Sequence, residues 1–175
     1  MSDASIRELS QVAELGELEQ LWLALHRHHR ALSPVRGLID DDAASWSARR
    51  AQYEQWMRSG NAIALFADLA SSKAVGYLFA QLHDGPEDTF AVGARYAEIY
   101  SLSVAPAHRR RSVGTSLLDA LDRRPARLGV VDLTVAAMVG NENAERLYRR
   151  RGFQPAEVAL WRLASPASRA PGSRP

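Results

Sequence analysis

The order of predicted elements places this 175-residue chain in the α/β class, of the α+β kind. Three observations carry that expectation. Residues 62–104 hold three successive strand-like runs, the first two spaced as a hairpin. Stretches with apolar residues three and four apart flank that block on both sides, at 13–31, 43–59 and 113–121. The third run, 96–104, then passes through Pro106 and four consecutive basic residues, His108 to Arg111, directly into a helix.

Taken in order, residues 5–9 form a short first strand and 13–31 a helix with Leu15, Leu18, Trp22 and Leu25 along one face. Asp40, Asp41 and Asp42 precede a second helix, 43–59, matching the dipole preference for acidic residues at a helix start. Trp46, Tyr53 and Trp56 recur there near helical spacing, as core aromatics do. Residues 62–68 and 74–82 make the hairpin across Ala70-Ser71-Ser72, and 83–93 is a polar loop. After the helix at 113–121 come a short strand at 130–135, a further helix from Asn141 to Gly152, and a closing strand at 156–163. One domain is expected over 1–163, with residues 164–175, rich in Ala, Ser, Pro and Arg, as a disordered tail.

Composition bounds the function. Hydrophobic residues make up 46% and charged residues 24%, so an ordinary globular core is within reach. No apolar run approaches membrane-span length, and residues 1–5 lack a signal-peptide pattern, so a cytoplasmic location is expected. With no cysteine, disulfides, thiol nucleophiles and thiolate metal sites are excluded. Net charge is only +2, although arginines cluster at 109–111, 123–124 and 149–151. Nucleic acid is therefore a weaker candidate than a phosphorylated small ligand.

The segment Val104-Ala105-Pro106-Ala107-His108-Arg109-Arg110-Arg111-Ser112-Val113-Gly114-Thr115 is built to hold an anion. Amides of a first helical turn have no partner within the helix, and the helix dipole adds positive potential there. Neither a P-loop nor a dinucleotide-binding glycine pattern fits. A second pattern follows in Asn141-Glu142-Asn143-Ala144-Glu145-Arg146-Leu147-Tyr148-Arg149-Arg150-Arg151-Gly152-Phe153. Spacings of three and seven put Asn141, Ala144 and Tyr148 on one face, and Gly152 sits where a helix stop belongs. Taken singly, these residues also suit a basic turn and an amphipathic helix.

Together the two segments resemble the GNAT superfamily of acetyl-CoA-dependent N-acetyltransferases. The first is similar to its pyrophosphate loop, V-x-P-x-x-R-x-x-G-x-G/A, through Val104, Pro106, Arg109 and Gly114. The second is similar to its N-x-x-A-x-x-x-Y-x-x-x-G-F helix, and the likeness extends over roughly residues 6–162. Ser112 stands where the loop's first glycine is usual. It keeps its amide and suits an N-cap, but a positive φ would strain it by ~1 kcal/mol.

The resemblance implies a mixed, mostly antiparallel sheet of six to seven strands flanked by about four helices, with central parallel strands, 96–104 and 130–135, splayed apart around acyl-CoA. It implies CoA contacts from Leu102, Ser103 and Val104, from Arg109, Arg110, Arg111, Ser112, Val113, Gly114 and Thr115, and from Asn141 and Ala144. Glu98 is the implied general base, expected by alternation to share a face with Tyr100 and Leu102 unless a bulge intervenes. Tyr148 is the implied proton donor to the departing thiolate, and a homodimer follows by analogy. His29 and Tyr100 are candidate contacts for the amine acceptor. A metal site at His26-Arg27-His28-His29-Arg30 is disfavoured by the arginines and by the lack of a carboxylate in the same turn. The three aspartates before the second helix could attract a polyamine or aminoglycoside, but helix-start acidity explains them without a substrate. A non-catalytic acyl-CoA sensor is the alternative reading.

Overall fold

The computed structural model describes residues 4–39, 41–70, 72–85, 91–124, 129–130 and 132–164. Strand β1 (Ser5–Glu8) leads through a 3-10 turn (Val12–Leu18) into α1 (Glu19–Leu32), followed by α2 (Asp42–Arg58). Strands β2 (Ala62–Leu69), β3 (Ser72–Asp84) and β4 (Arg95–Val104) follow, then a second 3-10 turn (Pro106–His108) and α3 (Val113–Asp122). Strand β5 (Asp132–Val135) and α4 (Glu142–Arg150) complete the described elements. The first helix predicted at 13–31 is thus split, its first turns wound as a 3-10 segment around Gly16. A Gln11–Glu14 capping box starts that segment.

The sheet order is β1-β2-β3-β4-β5. The first four strands pair antiparallel and β5 joins β4 in parallel. Both faces are buried, which explains why β2 and β3 read as continuous apolar runs. Ile63, Leu65, Leu78 and Ile99 pack with Leu117, Leu118 and Leu121 of α3 on one side. Phe66, Tyr77 and Phe79 pack with Leu15, Leu18, Trp22, Trp46 and Tyr53 on the other. Tyr53 stacks flat on Phe79 at 3.8 Å. Trp46 and Tyr53 are indeed core residues.

Three expectations need correction. The strand expected at 156–163 is not formed: residues 153–164 are irregular and outside the sheet. Val158, Leu160 and Trp161 are 80%, 90% and 63% exposed, so the apolar pattern that suggested a strand has found no face to cover. The described sheet has five strands, a small difference in count that leaves the expected fold class, a mixed sheet flanked by helices, standing. His83 and Asp84 belong to β3 rather than to a loop, because the His83 ring stacks on Tyr96 of β4 at 4.9 Å. Residues 86–90 of that predicted loop, Ser71 of the hairpin turn, and 165–175 of the predicted tail lie outside the described residues.

The third correction concerns β4. Phe79 pairs with Ser101 and Ala80 with Ile99, so Tyr100 is a surplus residue, a β-bulge. Before it, Ala97 and Ile99 face α3; beyond it, Leu102 and Val104 do. Tyr100 packs on the α1/α2 side. Glu98, paired in register with Gln81, shares that side with Tyr100 but not with Leu102.

Candidate active site

Strands β4 and β5 are paired only from Tyr96↔Asp132 to Ile99↔Val135. β4 runs on for five residues, Tyr100 to Val104, with β3 on one edge and no described strand on the other. The bulge lies where the separation begins, as an extra residue that bends one strand away from its neighbour would. The resulting gap, about 40 Å³, is lined by Tyr100, Leu102, Val135, Asn141, Ala144 and Tyr148 among others. It has room for a group little larger than one water's share of liquid volume, ~30 Å³. Asn141, Ala144 and Tyr148 thus share one face, the face turned to the gap.

Tyr148 is held there by local structure. Asn141 caps α4, its Oδ1 accepting from the Ala144 N–H at 3.4 Å. At the other end Phe153 N–H donates to the Tyr148 carbonyl at 3.2 Å and Gly152 N–H to Arg149 at 3.1 Å. That closure needs a left-handed residue, and Gly152 supplies φ of +88°. The Phe153 ring meets Tyr148 edge-on at 5.6 Å. Burial alone pushes the Tyr148 phenol up to about 12. A Cβ added at Gly114 would meet Leu147 Cδ2 at 3.4 Å, an ordinary van der Waals contact.

At the open end of β4, the chain turns through residues 105–112 into α3. Arg110 and Ser112 both adopt left-handed φ, +59° and +61°. Ser112 is the N-cap position, yet its side chain makes no cap hydrogen bond; its carbonyl accepts from Ser116 at 2.9 Å. The amides of Val113, Gly114 and Thr115 open the helix. Arg109 Nε donates to the Val104 carbonyl at 3.1 Å and ties the loop to the strand. Among the described residues Arg109, Arg110 and Arg111 have no carboxylate partner. The other clusters are partly spent in ion pairs: Arg124 with Glu8, Arg149 with Glu145, and Arg151 with Asp119 and Asp122. Uncompensated positive charge is therefore concentrated at the loop, where the helix dipole adds to it. Ser103 turns away from the gap, its hydroxyl donating to the Leu21 carbonyl at 2.9 Å.

A second cavity of about 650 Å³ lies between α1, α2 and β4. His29, Leu25, Tyr100 and Ser101 line both cavities and form the junction. His29 is held neutral, its pKa lowered to about 4 by burial first and by His28 and His26 second. Ser101 is bonded to the Tyr53 hydroxyl at 2.6 Å. Glu98 lines neither cavity; its Oε2 lies 3.3 Å from His83 Nε2. The sequence placed Trp22 only on the apolar face of the first helix and singled out neither Arg49 nor Gln52, and all three line the larger cavity. Trp46, Arg49, Tyr53 and Trp56 follow spacings of three and four, so an arginine on an aromatic stripe was the available signal. His26 stacks on Trp22 at 4.7 Å and lies 3.7 Å from Asp42. No group of three His, Asp or Glu among the described residues is placed to hold a metal. No described helix is long and apolar enough to cross a membrane.

Solved structures of the same architecture are close in shape and distant in sequence. A GCN5-related N-acetyltransferase from Ralstonia eutropha JMP134 superposes with a TM-score of 0.73 at 18% identity, covering 93% of this chain and 99% of that one. An aminoglycoside N-acetyltransferase in complex with CoA gives 0.69 at 18% identity, covering 94% and 96%. An aminoglycoside 6'-N-acetyltransferase from Acinetobacter baumannii gives 0.63 at 16%, covering 93% and 98%. No curated protein matches the sequence. Residues 21–153, which include most of α1, the bulged strand, the anion loop and the whole of α4, match the acetyltransferase (GNAT) family. The protein belongs to that family.

Proposed function

We propose that the protein is an N-acetyltransferase that moves an acetyl group from acetyl-CoA to a primary amine within a ternary complex. The observation that carries this is the adjacency of three features: the open edge of β4, the uncompensated cationic loop at the start of α3, and Tyr148 facing the gap between them. The residues fit such a donor. The amides of Val113, Gly114 and Thr115, with Arg109 to Arg111, suit a diphosphate. The free edge of Leu102, Ser103 and Val104 suits an extended amide-bearing arm, which would pair there as an added strand does. Asn141 and Ala144 wall the narrow gap, and the small Ala144 leaves room for the thioester end.

Acetyl-CoA supplies an acetyl group activated as a thioester. In the reaction the amine nitrogen bonds to the carbonyl carbon, the C–S bond breaks, the nitrogen loses a proton and the sulfur gains one. The chain's contribution is placement and proton handling. A backbone N–H on the open edge of β4 polarises the carbonyl. Neutral His29 at the junction admits an amine without repelling it. Glu98, on the acceptor side of β4, takes the ammonium proton through solvent. Tyr148 donates a hydrogen bond to the departing sulfur.

Calorimetric titration with CoA tests the reading. Binding is expected in the unmodified protein, and Arg109→Ala with Arg111→Ala should weaken it by about 10- to 100-fold, as loss of charge-assisted hydrogen bonds does. Absence of any complex refutes it.

A further inference from the structure

The larger cavity carries information about the acceptor that the family does not. Among the described residues lining it there is no aspartate and no glutamate. Its formal charge comes from Arg49, half-buried in α2. The guanidinium carbon lies 4.3 Å from the centre of the Tyr100 ring and 5.5 Å from that of Tyr53. One N–H donates to Gln52 Oε1 at 3.0 Å, leaving the rest of the planar fork available. No carboxylate pairs with Arg49 among the described residues. Of the three aspartates before α2, Asp40 lies outside the described residues and the other two are engaged. Asp41 caps α2 by accepting from the Ala43 and Ala44 N–H groups, and Asp42 is ion-paired with Arg27 at 2.6 Å and Arg30 at 3.1 Å. A polycationic acceptor would meet a positive charge here and no described carboxylate to offset it.

We infer that the acceptor is a mono-amine bearing a carboxylate close to its amino group and an apolar side chain: an α-amino acid or the like, with Arg49 as the carboxylate clamp. This inference rests on the N-acetyltransferase reading above. The geometry links the two groups. Tyr100 lies under the guanidinium and also lines the narrow gap, so a single residue joins the carboxylate site to the gap where the amine would react. A carboxylate held close to the amino group suits two sites that share one residue, a feature that a long polyamine lacks. Trp22, Leu25, Leu38, Ile39 and Tyr53 give the remaining wall an apolar and aromatic character, suited to a hydrocarbon side chain. A single guanidinium matches one carboxylate in bidentate form.

The experiment uses the full chain and reads free thiol from acetyl-CoA against L-phenylalanine, L-leucine, phenylalanine methyl ester, phenethylamine, O-phosphoethanolamine, spermidine and an aminoglycoside. The free amino acids should exceed the ester and phenethylamine in kcat/KM by about 10- to 100-fold. The ester's amine is the less basic of the two, so its deficit would run against intrinsic reactivity. Arg49→Gln should raise KM for the amino acid by about tenfold or more with kcat changed less, and leave KM for phenethylamine unchanged; Arg49→Lys should recover part of the loss. Calorimetry of amino acid into protein held with CoA gives a readout independent of turnover, and the ester series needs no variant to fold. Preference for spermidine or the aminoglycoside, equal rates for acid and ester, or preference for the phosphorylated amine each overturns the inference. CoA binding without turnover of any carboxylated amine overturns it too and leaves the donor assignment standing. Absence of CoA binding overturns the donor assignment itself.

Discussion

Replacing Tyr148 by Phe separates packing from chemistry unusually well at this site. The phenol is 8% exposed, and its hydroxyl forms no hydrogen bond among the described residues. Its ring contact with Phe153 survives the change. Folding stability should therefore stay within ~0.5 kcal/mol, or about 2 °C in Tm for a chain of this length. The catalytic effect follows from the pKa. A phenol pushed up to about 12 faces a sulfur whose thiol titrates near ~8.5. Complete proton transfer between them is uphill by roughly 5 kcal/mol, so in the proposed role the phenol acts as a hydrogen-bond donor to the departing thiolate and the proton follows late. Hydrogen bonds to charged groups contribute about 1.5–3 kcal/mol, which predicts a kcat loss of roughly 10- to 150-fold. The Kd for CoA should change less than twofold. Thiol release gives kcat cleanly because the chain has no cysteine, and calorimetry gives Kd. A kcat within threefold of the unmodified protein refutes the role. A Kd that rises as much as kcat falls would show a ground-state contact instead, and a Tm drop beyond 5 °C would show a structural one.

Two further outcomes are expected. Folded His29 takes a proton near pH 4, whereas the unfolded chain does so near 6.5. The unfolded state therefore binds more protons in between: stability is full above about pH 6.5 and falls as pH drops through 4. The limiting effect is ~3 kcal/mol, reduced by partial exposure to about 1–2 kcal/mol. His29→Gln should flatten the loss of Tm between pH 7 and 4.5 by about 2–8 °C, and parallel curves for the two proteins would show the shift is not there. Ser112→Gly should relieve left-handed strain of ~1–2 kcal/mol against a glycine entropy cost of ~0.5–1 kcal/mol. A net gain of about 1–3 °C in Tm with unchanged or tighter CoA binding is expected, and a lower Tm contradicts it.

What the sequence disclosed was mostly local. The anion loop and α4 are contiguous segments whose turn chemistry, caps and helical spacing fix geometry within a dozen residues. Asn141, Ala144 and Tyr148 accordingly meet at one gap. Features that depend on distant pairing were not legible. The bulge at Tyr100 is a mismatch between β3 and β4, and nothing in β4 alone reports how many residues its neighbour offers. Arg49 became visible only when α2 was laid against β4, since on the helix it reads as an ordinary arginine between core aromatics. Residues 156–163 carry an apolar pattern suited to a strand, but whether a sheet edge receives it is a tertiary fact. Ser112 suits a cap by residue type and would be strained by a positive φ, and φ is +61°. The loop instead uses its backbone and leaves the hydroxyl out of the cap.

The surplus residue in β4 makes this cleft a matter of arithmetic. Ten residues of β4 run beside a β3 that accommodates nine of them at the crossing, and the leftover position is Tyr100. Side-chain exchanges along β4 alter the lining and keep the count. Removing Tyr100 would re-zip the ladder into regular alternation, keep Leu102 and Val104 on the α3 side and deny the sheet its fork. Length in this strand is thus held under a stricter constraint than composition, and variation should be found in the identity of its residues before it is found in their number.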